Sequence, residues 1–190
     1  HPVPAASLFM GIGASVFVLD IDLPSLRYLS DVMPANVTTL MSNTYNLNKL
    51  VSGADLVIWA VLRSGAKAPN LVTRKMVSEM KEGAVIVDVS VDQGGCVETC
   101  RPTTHTNPTY VVDGVSHYCV ANIPGAVPRT STFALTNATL PSVLEIAEFG
   151  WEEASRVSPE VATGVNIVDG RITYPSVARP GNFRLPISAI

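Results

Sequence analysis

Residues 85–96 constrain the fold more strongly than any other part of the sequence. The segment begins with Val85-Ile86-Val87-Asp88-Val89-Ser90-Val91 and continues with Asp92-Gln93-Gly94-Gly95-Cys96. A β-branched run of this kind is typical of a strand that is covered on both faces, as the strands of parallel sheets are. Open α/β sheets bind ligands just beyond the carboxyl ends of their strands. The segment therefore predicts an α/β fold with a binding crevice near Asp92.

The first half of the chain alternates between strand and helix patterns. The predicted strands cover residues 15–20, 38–41, 54–62 and 85–91, and the predicted helices cover residues 5–10, 23–33, 46–51 and 73–80. Parallel strands need crossover connections, which helices supply. The alternation therefore predicts a Rossmann-like, doubly wound parallel sheet. Because the chain begins inside a helix pattern, we expect the sheet to be incomplete at its N-terminal end, with its first strand before residue 1.

The second half of the sequence has a different pattern. Its predicted elements are two short strands, a turn and a helix, at residues 110–115, 117–121, 124–129 and 140–151. The segment 158–190 is rich in Pro and Gly and is predicted to be an extended arm that packs against another surface. We therefore divide the chain into a Rossmann-like domain, residues 1–137, and a connecting helix with a C-terminal arm, residues 138–190.

The composition indicates a compact protein that does not bind polyanions. Of the 190 residues, 47% are hydrophobic and 15% are charged, which argues against disorder. The longest apolar run, residues 54–62, is interrupted by Asp55 and is far shorter than the roughly 20 residues that span a bilayer. The net charge is -3 and the 13 basic residues are scattered. Neither nucleic acid nor a membrane is therefore expected as a partner.

Cysteine content and the N-terminus bear on the cellular compartment. The three cysteines, Cys96, Cys100 and Cys119, are an odd number in a chain long enough to build a core. This argues against a disulfide scaffold and favours a reducing compartment. The start His1-Pro2-Val3-Pro4 lacks the basic and apolar regions of a secretion signal. A cytoplasmic location is therefore predicted.

Glycine motifs that bind phosphate do not stand in the expected places. Gly11-Ile12-Gly13 matches the start of the G-x-G-x-x-G fingerprint, but Val16 stands where the third glycine belongs and the motif precedes a strand. Glycines directly after a helix are better explained as its C-cap. The sequence contains neither G-x-S-x-G nor a P-loop, which argues against two large enzyme classes.

Aspartates lie at or near the ends of several predicted strands. Asp20 closes the second Rossmann strand, where an acid can accept both ribose hydroxyls of a dinucleotide. Asp22 competes for this role, and the alternatives for Asp20 are a solvated aspartate at the strand end or a helix cap. Asp92 can orient a substrate or take part in proton transfer, the alternative being an Asx turn before two glycines. Asp88 lies inside its strand, where a structural role is expected.

The histidines and cysteines do not match a metal site. Cys96, Cys100 and His105 are close in sequence, but their spacing fits no zinc motif and an obvious fourth ligand is missing. His117 lies in a predicted strand, where a packed side chain is the expected interpretation. No metal is therefore predicted.

Several long runs resemble the bacterial L-alanine dehydrogenase family. They extend over nearly all of the chain and are Thr38-Thr39-Leu40-Met41-Ser42, Ala54-Asp55-Leu56-Val57-Ile58, Gly65-Ala66-Lys67-Ala68-Pro69, Asp92-Gln93-Gly94-Gly95-Cys96, Arg101-Pro102-Thr103-Thr104, Ala121-Asn122-Ile123-Pro124-Gly125-Ala126-Val127-Pro128 and Thr130-Ser131-Thr132-Phe133-Ala134-Leu135-Thr136-Asn137-Ala138-Thr139.

The resemblance implies an NAD-dependent oxidoreductase that interconverts L-alanine with pyruvate and ammonia. Enzymes of this family have two Rossmann-like domains and usually form homo-hexamers, so a homo-oligomer or a larger assembly is expected. On this resemblance residues 1–137 belong to the NAD-binding domain, and residues 138–190 return to the substrate domain.

The resemblance also assigns site residues. Asp92 is similar to the catalytic aspartate near the nicotinamide, and Asp20 to the acid that holds the adenosine ribose. The remaining positions that line the cofactor in the family, of which the last two lie nearest the nicotinamide, are Ser42, Val61, Val120 and Asn122.

The sequence also departs from the family pattern. The family's glycine loop and its N-terminal substrate domain have no counterpart in these residues, Ile123 replaces a common Met, and Arg63-Ser64 replaces an apolar residue followed by Pro. Hydride transfer requires both reactants to be held in register. Two interpretations follow: the cofactor half of a dehydrogenase, or an inactive remnant that serves as a structural or interaction subunit.

Overall fold

A computed structural model describes residues 3–61 and 70–174 of the chain. Their contacts divide them into two compact units, with a boundary between Ala121 and Asn122. The first unit has an α/β architecture, and the second contains a long helix, a short helix and a small hairpin. Within the described ranges, no helix combines the length and the hydrophobicity that crossing a membrane requires.

The strands of the first unit form two sheets. The smaller sheet pairs β1 (Val16–Asp20) with β2 (Val37–Met41) in parallel. The larger sheet contains β3 (Leu56–Trp59), β4 (Val85–Asp88), β5 (Thr109–Val112) and β6 (Val115–Tyr118), in the spatial order β3-β4-β6-β5. In it β3, β4 and β6 are parallel, whereas the edge strand β5 is antiparallel to β6. The predicted α/β class with parallel strands is confirmed, and the strands are divided between two sheets.

Helices connect the parallel strands as the alternating pattern predicted. The helices of the first unit are α1 (Val3–Gly11), α2 (Leu23–Val32), α3 (Thr44–Val51) and α4 (Arg74–Ser78). The first turns of α2, α3 and α4 are capped by the side chains of Asp22, Asn43 and Thr73, which accept backbone N–H hydrogen bonds at 2.9, 2.8 and 3.3 Å. Such caps satisfy amides that the helix itself leaves without acceptors.

The main hydrophobic core surrounds β3 and β4. Its fully buried members include Ile86 in the middle of β4, Val115 at the start of β6, and Val72 and Val77 at α4. A smaller cluster joins α1, β1 and α2 through Ala6, Val18 and Leu29. Helices thus pack against both sheets, which accounts for much of the apolar character of the strands, although Phe17 on β1 and Val111 on β5 are exposed.

The turn between β5 and β6 differs from the prediction. The sequence pattern suggested strands at 110–115 and 117–121, which places the turn at Ser116. In the structure the turn consists of Asp113 and Gly114, whose φ angles are 50° and 78°. Asp-Gly with two positive φ angles is typical of a type I′ hairpin turn. The local turn signal, rather than the apolar pattern, therefore determines where these strands end.

The second unit is more helical than predicted. The helix expected at 140–151 is α5 (Pro128–Val157), which continues through Pro141 and contains a break at Gly150, where φ is 77°. The sequence pattern treated Pro141 as a residue of the first turn. The first-turn proline is instead Pro128.

Part of the segment that was predicted to be an extended arm has regular structure. Residues 159–172 form α6 (Pro159–Gly164) and the hairpin of β7 (Ile167–Val168) with β8 (Arg171–Ile172). Asp169 and Gly170 connect these two strands, again with positive φ angles of 49° and 74°. Pro159 thus marks the start of a helix and Gly170 marks a turn. The rest of the predicted arm, 175–190, lies outside the described residues.

Candidate functional site

The predicted site residues of the first unit lie at the carboxyl ends of parallel strands. Asp20 is the last residue of β1 and Ser42 directly follows β2. At the larger sheet, Val61 follows β3, Asp92 follows β4 and Val120 follows β6. The carboxyl ends of parallel strands form one edge of a sheet, where α/β proteins bind ligands. The structure therefore places Asp20 beside Ser42 on the smaller sheet, and the other three along the corresponding edge of the larger sheet.

Asp20 provides the carboxylate at the end of β1. Its Oδ1 accepts the backbone N–H groups of Ile21 and Asp22 at 2.7 and 3.0 Å, and its carbonyl oxygen accepts the N–H of Ser42 at 2.8 Å. The neighbouring Asp22 caps α2, and hydrogen bonds from the side chain and the backbone N–H of Ser25 lower the pKa of Asp22. Of the two aspartates that could bind a ribose here, Asp22 is therefore engaged in capping α2.

Asp92 lies in a tight loop after β4. It is exposed, in the short 3-10 turn Val91–Gln93. The following N–H groups close the loop, because Gly94 donates to the carbonyl of Val91 and Gly95 donates to that of Ser90, both at 3.1 Å. The two glycines have φ angles of 96° and 67°, which residues other than glycine rarely adopt. The loop thus presents the Asp92 carboxylate to solvent at the sheet edge.

The carboxylate of Asp88 holds this loop from inside. Asp88 is fully buried, and its Oδ1 and Oδ2 accept the backbone N–H groups of Ser90 and Cys96, both at 2.9 Å. A Cβ on Gly95 would lie 3.1 Å from Asp88 Oδ2, so the close approach requires glycine for space as well as for conformation. The structural role predicted for Asp88 is confirmed.

The same loop is attached to the end of β3. The N–H of Val89 donates to the carbonyl of Trp59 at 3.0 Å, and the thiol of Cys96 donates to the carbonyl of Val61 at 3.9 Å. The carbonyl of Cys96 in turn accepts the N–H of Leu71 at 2.8 Å. Position 92 is therefore supported by contacts to two neighbouring segments.

Val120 and Asn122 occupy different environments. Val120 is 1% exposed and forms a parallel bridge with Thr103, so it packs beneath the edge. Asn122 is exposed, belongs to the second unit and has a φ angle of 58° at the start of the short turn Ile123–Ala126. Asparagine adopts this left-handed conformation more readily than most residues.

A buried polar network on β6 was missed by sequence reasoning. His117 is fully buried, as expected for a packed strand histidine, and stacks on Tyr110 with the ring centroids 5.1 Å apart. Its Nδ1 donates to the carbonyl of Val115 at 2.9 Å, which leaves Nε2 to accept the hydroxyl of Thr99 at 2.8 Å. Burial lowers the pKa of His117, so the neutral ring is favoured.

Metal ligands are not grouped in the part of the chain that the structure describes. There, no cluster of three or more His, Cys, Asp or Glu side chains is arranged to hold a metal ion. The arrangement instead offers isolated carboxylates at strand ends and a loop of positive-φ glycines. These features are suited to the hydroxyl and amino groups of organic ligands.

Parallel strands joined by helices, with acids after β1 and β4, define a Rossmann-type domain. The sequence matches the family described as alanine dehydrogenase/PNT, C-terminal domain, over residues 3–175. The chain belongs to this family, as the resemblance of its motifs implied.

Individual relatives agree with this assignment. The chain is 54% identical to the alanine dehydrogenase of Halomonas elongata over 174 residues, and 51% identical to that of Bacillus subtilis over 176 residues, in each case 92% of this chain and 47% of the relative. A solved L-alanine dehydrogenase is similar with a TM-score of 0.80 and 47% identity, over 92% of this chain and 48% of its own. A transhydrogenase from Sinorhizobium meliloti is similar with a TM-score of 0.59 and 25% identity, over 68% of this chain and 36% of its own.

The chain thus spans about half the length of the curated relatives that it matches. The expected family and the expected Rossmann-type fold are both confirmed. The roles of Asp20, Ser42, Val61, Asp92, Val120 and Asn122 remain predictions, as does the domain boundary at residue 137.

Asp88→Asn tests whether the buried carboxylate holds the loop. We expect the free energy of unfolding to fall by about 1–3 kcal/mol, because one carboxylate oxygen becomes an amide that cannot accept the facing N–H. Urea unfolding followed by circular dichroism measures the change. Asp92→Asn is the matched control at an exposed position, with an expected change below about 0.5 kcal/mol. Equal effects of the two substitutions would contradict the proposed support of the loop.

The lowered pKa of His117 predicts a pH dependence of stability. The unfolded chain, with a histidine pKa near 6.5, binds a proton more readily than the folded chain does. The free energy of unfolding is therefore expected to be insensitive to this group above about pH 6.5 and to fall as the pH decreases towards the lower folded value.

Urea unfolding between about pH 7.5 and 5.5 measures this dependence. His117→Gln should flatten it, whereas His105→Gln, at an exposed position, should preserve it. The same slope in the wild type and in His117→Gln would rule out His117 as its source.

Proposed function

We propose that this chain is the cofactor-binding half of an NAD-dependent L-alanine dehydrogenase. Such an enzyme oxidatively deaminates L-alanine to pyruvate and ammonia and catalyses the reverse reductive amination. The observation that carries the proposal is the placement of Asp20 and Asp92 at the ends of parallel strands, in a chain about half identical to alanine dehydrogenases. In this proposal residues 1–137 belong to the NAD-binding domain, and residues 138–190 lead to the substrate domain.

Asp20 is proposed to bind the adenosine ribose of NAD. A carboxylate at the end of this strand can accept hydrogen bonds from both ribose hydroxyls, and its charge repels the additional phosphate of NADP. Asp22 is committed to capping α2, which leaves Asp20 as the acid at this position. Ser42, hydrogen-bonded to Asp20 through its backbone at 2.8 Å, contributes to the same part of the site.

Asp92 is proposed to be the catalytic aspartate. Bound NAD supplies the hydride acceptor for the oxidation of alanine. The exposed carboxylate of Asp92 can orient the amino group of the substrate or take part in proton transfer. The loop continues with Gly94, which is exposed, and Gly95, which is buried against Asp88.

Three further residues are proposed to surround the cofactor. Val61 lies at the end of β3, and Val120 supports the edge after β6 from its buried position. Asn122 lies two residues after Val120 and is exposed. Hydride transfer depends on exact placement of the reactants. The hydrogen bonds that Asp88 accepts from the loop are therefore proposed to keep Asp92 in position.

The proposed partners are L-alanine and pyruvate as substrates and further copies of the chain in a homo-oligomer, in the cytoplasm. Support for assembly comes from α5, which exposes many large apolar side chains, including Phe133, Leu135, Leu140, Val143, Leu144 and Phe149. An exposed apolar surface of this extent is usually covered by another protein surface.

Titration with NADH tests cofactor binding by this chain. We expect a saturable change in nicotinamide fluorescence, and a flat response would refute binding by these residues alone. Asp20→Asn keeps Oδ1 as an acceptor for the two local amides but removes the charge. It should weaken NADH binding roughly tenfold or more, in line with the loss of a charged hydrogen bond.

The negative charge of Asp20 gives the NADH titration a second readout. Asp20→Asn should narrow the difference between the dissociation constants of NADH and NADPH, because the repulsion of the additional phosphate is removed. Asp31→Asn, at an exposed position in α2, is the matched control and should leave both constants unchanged. An unaltered preference in Asp20→Asn would contradict the ribose-binding role.

Asp92→Asn in the complete protein tests the catalytic role. We expect kcat for alanine oxidation to fall by about 10²–10⁴-fold, the usual contribution of a positioned acid or base. The NADH dissociation constant should stay within about twofold of the wild-type value, since an amide of equal size keeps the loop intact. Wild-type turnover by this variant would exclude Asp92 as a catalytic residue.

A further inference from the structure

Two of the three cysteines, Cys100 and Cys119, lie close to the hydroxyl of Tyr110 in the first unit. All three thiols are free. Cys119 directly follows β6 and is fully buried, whereas Cys100 is half-buried in the segment after the Asp92 loop. The proposed function assigns no task to either thiol.

The hydroxyl of Tyr110 contacts Cys119 and both sequence neighbours of Cys100. Its oxygen accepts the N–H of Arg101 at 2.8 Å and donates to the carbonyl of Thr99 at 3.0 Å, so it is bound to both sequence neighbours of Cys100. The same oxygen lies 3.8 Å from the sulfur of Cys119. Cys100 is therefore held beside Cys119 by backbone contacts on both of its sides.

The two thiols also interact through a proton. A hydrogen bond from Cys100 is the largest cause that lowers the pKa of Cys119 to about 7, with a further contribution from Tyr110, while burial opposes the shift. The same hydrogen bond, together with burial, raises the pKa of Cys100. The buried carboxylate of Asp88 also acts on both groups, and its charge raises both pKa values. The shift at Cys119 is thus towards the thiolate, the form of a cysteine that takes part in disulfide formation.

We propose that Cys100 and Cys119 are a redox-active pair that a two-electron oxidant of the diazene class converts into an intrachain disulfide. One sulfur, as the thiolate, adds to the N=N bond of the oxidant. The second sulfur then displaces the resulting hydrazine, which forms the S–S bond. The two thiol protons and two electrons end on the hydrazine, so the reaction is balanced.

Cys96 serves as an internal comparison. Its sulfur donates to the carbonyl of Val61 at 3.9 Å, and burial raises its pKa. The groups that act on its pKa are Asp88, Val61 and Ser90, none of which is a thiol. Cys96 is therefore expected to remain a thiol when the other two cysteines react.

The position of Cys100 connects this pair with the Asp92 loop. A Cβ on Gly95 would lie 3.8 Å from the Cβ of Cys100. Cys100 thus lies near the glycine that approaches Asp88. Formation of the disulfide does not depend on the proposed dehydrogenase function.

The experiment is oxidation of the native chain with diamide, followed by denaturation and alkylation with N-ethylmaleimide. We expect an intact mass that is lower by two hydrogen atoms before alkylation, and a single alkylated cysteine, Cys96. Peptide mapping without reduction should show one link, between the peptides that contain Cys100 and Cys119. Dithiothreitol should restore three alkylated cysteines.

Single substitutions test whether the disulfide requires both Cys100 and Cys119 and forms without Cys96. Cys100→Ser should keep both remaining thiols under the same oxidation, Cys119→Ala should do likewise, and Cys96→Ser should still form the link. Circular dichroism checks that each variant is folded, and the wild-type peptide map decides the question if a variant is not. Three retained thiols in the wild type, a link that includes Cys96, or a link only between two chains would overturn the proposal.

Discussion

The buried carboxylate of Asp88 is the interaction on which the candidate site depends. A buried carboxylate needs hydrogen-bond donors, and here the backbone N–H groups of Ser90 and Cys96 each donate to one of its oxygens. Because these amides lie on either side of the loop, one side chain determines the shape of the whole turn. A side chain at Gly95 would be strained, because its Cβ would lie 3.1 Å from Asp88 Oδ2 and the backbone has a positive φ angle of 67°. The exposed position of Asp92 thus depends on the buried side chain of Asp88.

Much of this arrangement could be predicted from the sequence, because it follows from local patterns and one topological rule. The runs around Val18 and Ile86 are apolar enough to identify strands, and acids directly after them identify strand ends. The rule that parallel strands present their carboxyl ends at one edge then places Asp20 and Asp92 without further information. The long motifs indicated the family, and the family match over residues 3–175 confirms it.

The parts that could not be predicted depend on contacts between separate segments. The hydrogen bond from Cys96 to Asp88 and that from Tyr110 to Thr99 link residues that no periodic pattern relates. Strand order is similarly invisible to periodicity, so the division of the parallel strands into two sheets could not be anticipated. The boundaries of β5 and β6 are a different case, because Asp113-Gly114 carried a turn signal that the apolar pattern obscured.

The two-residue connection between β5 and β6 also bears on the order in which the chain folds. Closing so short a loop costs little conformational entropy, whereas pairing β3 with β4 or β4 with β6 must first bring distant segments together. The type I′ turn at Asp113-Gly114 favours the hairpin before any parallel strand is present. The β5–β6 pairing is therefore the most local one in the larger sheet, whereas its parallel pairings each close a much longer segment of the chain.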